Sequence, residues 1–136
     1  MQNINKSKYI VFIVLSIFLF GFNSSYSYAK EPIMEYKYTV EEQKIKRAQF
    51  IWKSCIEELR SENILTTIDI KNINSYLAKE MRVEKFEAPS KRYDRQKKAL
   101  RPLTVEKMVD KKIITPEQGG KLRYKMSKYN LSDLEK

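Results

Sequence analysis

Between Thr39 and Asn63 the chain meets neither proline nor glycine, and its apolar residues recur at three- and four-residue steps: Ile45, Ala48, Trp52, Cys55, Ile56 and Leu59. Phe50 and Ile51 widen the stripe. That period gathers the side chains on one face of an α-helix and would scatter them over both faces of a strand. Thr39-Val-Glu-Glu42 has the form of a capping box, with the Thr hydroxyl accepting from the amide three residues on and Glu42 reaching back. The spacing predicts a helix over about 40–62.

Asn63 follows the last stripe residue, and Asn is a common substitute for Gly in the left-handed position after a helix. Ile64 and Leu65 are expected to tuck inward across the turn. Thr66 or Thr67 then caps a second helix, about 68–82, with Ile70, Ile73, Leu77 and Met81 on one side. So short a connection predicts an antiparallel or steeply crossed pair.

The same turn returns further on. Matching Ile113-Ile114-Thr115 to Ile64-Leu65-Thr66 makes Thr115 an N-cap, Pro116 the first helical residue and Gln118 the end of a capping box. Leu122, Met126 and Tyr129 step along the inner face, and Thr104-Val-Glu106 opens a short helix of about 105–111 ahead of the turn. Gly119 and Gly120 fall inside the first turns, where each costs a helix roughly 1 kcal/mol relative to alanine. Either another backbone approaches closely there, or that helix end frays. Two units are too few for a solenoid, so the pattern is a degenerate repeat of helix–turn–helix.

Between the halves lies APSKRYDRQKKALR, residues 88–101, with six cations against Asp94 alone. Pro89 and Pro102 bracket it, and Ser90 is a candidate cap for a helix of about ten residues. Tyr93, Ala99 and Leu100 offer little to bury, so the segment is expected on the surface.

An apolar helix, Ile113-Ile114-Thr115-Pro116-Glu117-Gln118, then a basic helix: this order resembles the SHOCT (short C-terminal) domain and the YckD-like group of small secreted Firmicute proteins. Ile64, Leu65 and Thr66 are a weaker echo. The glycine both groups favour before the turn is Lys112 here, and Asn63 in the first half. The resemblance implies helical hairpins and interaction roles without catalysis.

The N-terminus bears on location. MQNINKSK carries two lysines and no acid, Tyr9 to Phe22 is a nearly unbroken apolar run, and Ser27 and Ala29 stand two apart. This is the layout of a signal peptide, with cleavage expected after Ala29. An uncleaved anchor is the alternative, although fourteen residues fall short of the roughly 20 that span a bilayer. Only Lys6 and Lys8 of the 27 cations would leave with the leader, and the remainder carries +8. That charge favours anionic partners: wall polymers, phospholipid headgroups or, least of these for an exported chain, nucleic acid.

The chain has no histidine. Imidazole general bases, Ser-His and Cys-His pairs and histidine metal ligands are therefore excluded. Gly119-Gly120 is not a phosphate loop, since no Gly-Lys-Ser/Thr follows. Glu57 and Glu58 could serve as paired carboxylates, but they sit on the polar side of a lysine-rich helix. Cys55 cannot form an internal disulfide; it reads as a packed thiol or as a link between two copies.

The expectation is thus an all-α protein: a signal peptide (1–29), an extended lead-in (30–38), a first helical hairpin (39–87), a basic linker or helix (88–102) and a second hairpin (103–136). It is not read as an enzyme, and no cofactor or metal is expected. The first functional reading is an exported interaction protein, an adaptor or regulator that holds another envelope protein through a groove lined by Trp52, Phe50, Tyr76 and Tyr124. The alternative is a binder of an anionic polymer or lipid through Lys91, Arg92, Arg95, Lys97, Lys98 and Arg101.

Overall fold

A computed structural model describes residues 38–136. The expected cleavage site at Ala29 and most of the lead-in lie outside the described residues. Those described are all-helical, without a strand: α1 (Val40–Ser61), α2 (Thr67–Glu80), α3 (Pro89–Leu100), α4 (Leu103–Asp110), α5 (Pro116–Met126) and a final 3-10 turn at Ser132–Leu134. None of these helices is long and apolar enough to cross a membrane.

Both turns close by the same hydrogen bonds. Ile64 N–H donates to Leu59 O at 2.9 Å and Asn63 N–H to Arg60 O at 3.0 Å. In the second half Ile113 N–H donates to Met108 O and Lys112 N–H to Val109 O, both at 2.9 Å. These are the paired bonds of a Schellman motif, which needs a left-handed residue to turn the chain. Asn63 and Lys112 supply it, with φ of 58° and 57°. Thr66 with Asp69, and Thr115 with Gln118, then form capping boxes. The two turns also meet: Gln118 Nε2 donates to Ile64 O and to Asp69 Oδ2, each at 3.0 Å. The Thr66 amide, joined by its hydroxyl and by Gln118, holds the Asp69 carboxyl below its ordinary range.

Lysine has no side-chain acceptor to ease a left-handed backbone, whereas asparagine does. Lys112→Gly is therefore expected to stabilise the fold by about 1 kcal/mol, and Asn63→Gly by only a few tenths. Urea midpoints at unchanged slope would show it. A loss of stability in Lys112→Gly would reject this account of the turn.

Helix α1 rests chiefly on α3 and α5, α2 on α3, and α4 on α5. The core gathers Ile45, Ile51, Trp52, Cys55 and Leu59 of α1 with Ile73 and Leu77 of α2, Leu100 of α3, Met108 of α4 and Leu122 of α5. Of the two forms expected for the basic segment, the helix is the one present, and most of it is exposed or half-buried. It forms α3, and Ala99 and Leu100 are buried. Three side chains were enough, because the helix buries only its C-terminal end and one edge at Tyr93, with Lys91 and Lys98 exposed and its other cations half-buried. Ser90 does not cap it: the N-cap is Ala88, without a side-chain bond, and Pro89 takes the first helical position. Thr104 does not open the next helix either. It is buried inside α4, with its hydroxyl donating to Lys98 O.

The double glycine divides into two cases. Gly119 is buried, and a Cβ there would lie 2.5 Å from Val109 Cγ2 of α4. Around Gly120 nothing comes within 4 Å of that position. Close approach explains the first glycine and not the second. Cys55 is fully buried, and burial pushes its thiol up to about 11. That setting is the one expected of a packed thiol.

Candidate functional site

The six cations expected to act together are divided by the helix that carries them. Lys97 is only 12% exposed and pairs with Glu41 at 3.2 Å and Asp94 at 3.5 Å. Its ammonium, with that of Lys44, holds Glu41 below the ordinary carboxylate range. Arg95 pairs with Glu84 at 3.4 Å and also with Glu87. Arg101 donates to Leu134 O at 2.8 Å, tying down the C-terminal turn. Arg92 folds back on Tyr93, 3.1 Å from its hydroxyl and 4.9 Å from its ring centre. Of the six, only Lys91 and Lys98 are exposed and without a partner among the described residues.

Lys98 has companions that the sequence reading missed. A cleft of about 220 Å³ opens between α2, α3 and α4, lined by Tyr76, Glu80, Arg95, Lys98, Thr104 and Lys107. Lys111 stands at its margin, its ammonium 5.0 Å from the centre of the Tyr76 ring. That distance fits a cation–π contact, which needs no carboxylate. Among the described residues Lys98, Lys107 and Lys111 have no acidic partner, and Glu80 has no basic one. Lys107 in the last turn of α4 and Lys111 at its C-cap stand four residues apart, the signal a reader could have used. Nothing local pairs them with Lys98 of another helix.

Such lysines repel one another across the cleft, and an anion seated between them relieves the repulsion. Each ammonium brings donors suited to phosphate oxygens. Glu80 opposes this, so the cleft is graded rather than uniformly positive.

The four aromatic residues assigned to a groove do not share one. Trp52 is 2% exposed and belongs to the core, its Nε1–H donating to Leu100 O at 2.7 Å. Tyr76 is buried on the lysine cleft, Phe50 is half-buried, and Tyr124 is 66% exposed beside Lys128. A different groove, of about 290 Å³, runs between α1 and α2 over Trp52, Ile56, Ile70, Leu77, Met81 and Leu100. Its rim is mixed, with Lys53, Glu57 and Asn74.

Glu57 pairs with Arg60, and Glu58 with Lys125, at 3.5 and 3.1 Å. Each carboxylate is thus occupied by a cation. Among the described residues no three Cys, Asp or Glu stand together where they could hold a metal. No protein family, curated protein or solved structure matches this chain.

Proposed function

We propose that this chain is a non-catalytic helical binding protein of the cell envelope, exported by its N-terminal leader, that holds a phosphate-bearing anionic partner in the cleft between α2, α3 and α4. One observation carries the reading: among the described residues, Lys98 and Lys107 line a cleft with Lys111 at its margin, none of the three is in an ion pair, and Glu80 is the one acid in the lining. The scaffold is read as two helix–turn–helix units joined by α3. The like construction of their turns supports this, as does the resemblance to small hairpin domains. The packing of α2 and α4 against α3 supports a preformed cleft.

Inorganic polyphosphate is a suitable first probe, titrated into residues 31–136 across a salt series. Affinity is expected to fall steeply with salt, because each phosphate contact releases counterions. Changing Lys98, Lys107 and Lys111 together to Gln should cost roughly tenfold or more and flatten the slope. Lys91→Gln should change little, and Glu80→Gln should tighten binding by roughly twofold to fivefold. A triple variant that binds like the parent would sink the cleft.

The adaptor reading survives through the groove between α1 and α2, whose floor is apolar. Binding to envelope preparations that ignores salt and the lysine variants, and is lost on Ile70→Lys at the groove, would favour it.

A further inference from the structure

Residues 81–88, which join α2 to α3, hold the most exposed apolar side chain among the described residues. Phe86 is 96% exposed, and Val83 is 55% exposed three residues before it. Phe86 also has φ of 66°, a left-handed backbone that disfavours any bulky L-residue. A solvated loop has no need of a phenyl ring held out in such a conformation. Strain of this kind collects at functional positions.

The charges of the loop are sorted. Glu84 and Glu87 both pair with Arg95 of α3. Arg82 and Lys85 are exposed and unpaired, with Lys85 5.7 Å from the Phe86 ring centre. Counting Arg95, the loop carries three cations against two acids, a net charge of +1, and presents Arg82, Lys85, Val83 and Phe86 beside a Glu84 carboxylate that stays 75% exposed. Arg95 also lines the lysine cleft, so loop and cleft adjoin.

We infer that the loop Met81–Ala88 is a bilayer-contact loop, which sets Phe86 among the lipids of an anionic phospholipid surface while the adjoining cleft takes a headgroup phosphate. This rests on the anion-binding reading above and names its partner. The chemistry is two-part: apolar side chains such as Phe bury at the headgroup–acyl boundary, and neighbouring cations are drawn to anionic headgroups. A soluble phosphate polymer would engage the lysines and leave Phe86 without a role.

The test is co-sedimentation of residues 31–136 with vesicles of phosphatidylglycerol and phosphatidylcholine, and with phosphatidylcholine alone, beside polyphosphate titrations. Phe86→Asn keeps the left-handed turn at lower cost and removes the ring. It is expected to lower partitioning onto anionic vesicles by about tenfold and leave polyphosphate affinity unchanged, with Phe86→Trp restoring the loss. Parent protein that binds polyphosphate but ignores anionic vesicles would overturn the inference and spare the cleft. So would Phe86→Asn partitioning as the parent does. Failure of the parent to bind polyphosphate and vesicles alike would overturn both.

Discussion

Trp52→Ala is expected to cost about 3–5 kcal/mol of folding stability, the range for truncating a large buried aromatic side chain. The ring is 2% exposed and packs in the core shared by α1, α2 and α3. A second loss compounds the first. Leu100 O lies at the C-terminus of α3, where the last carbonyls of a helix have no donor of their own. The Trp52 indole N–H supplies one at 2.7 Å in a buried setting. Removing it orphans a buried acceptor, which alone costs about 1–3 kcal/mol.

Trp52→Phe separates these contributions, since it keeps most of the ring and deletes the N–H. A loss of about 1–3 kcal/mol is expected for it. Small domains hold roughly 5–15 kcal/mol in all, so Trp52→Ala brings this fold near its threshold. Urea unfolding followed by helix circular dichroism measures both variants. If Trp52 were a surface anchor for a partner, either change would alter stability by less than about 0.5 kcal/mol. A value that small for Trp52→Ala would refute the packing described here.

The helices were largely legible because their signals are local. Thr39, Thr66 and Thr115 each announce a helix start through bonds made within three residues, and all three form. Asn63 marks a helix end in its own turn, and Lys112 repeats it at the place where a glycine is commoner. What the sequence could not show was which helix faces which. Leu100 looks like a stray aliphatic residue in a basic run, and only the approach of α1 makes it core. The same gap hides how the basic segment divides. Six cations adjacent in sequence point around a helix in several directions, so Lys97, Arg95 and Arg101 find partners inside the protein. The unpaired ones are assembled from separate helices, Lys98 with Lys107 and Lys111. Phe86 was passed over because an isolated aromatic in a charged loop resembles any connector, and its exposure is a tertiary fact.

Gly119 and Gly120 give the second large effect, and they predict opposite signs one residue apart. Alanine is the better helix former by roughly 1 kcal/mol at either site, since glycine loses more backbone freedom on folding. At Gly120 nothing opposes that gain, because a Cβ would meet open space. Gly120→Ala should stabilise by about 0.5–1 kcal/mol. At Gly119 the new methyl would sit 2.5 Å from Val109 Cγ2, 3.5 Å from Val105 Cγ1 and 3.8 Å from Ile114 Cδ1. Val109 is β-branched within α4, where one χ1 rotamer dominates, so it cannot easily swing away. Relief requires α4 and α5 to separate, which loosens the packing around Val105 and Leu122. Overpacking of this kind costs about 1–3 kcal/mol, enough to outweigh the propensity gain. Gly119→Ala is therefore expected to lose about 1–2 kcal/mol net. Val109→Ala made with it should recover part of the loss, because the obstructing Cγ2 is gone. Equal stabilisation by the two alanine variants would mean that α5 does not lie against α4 at Gly119.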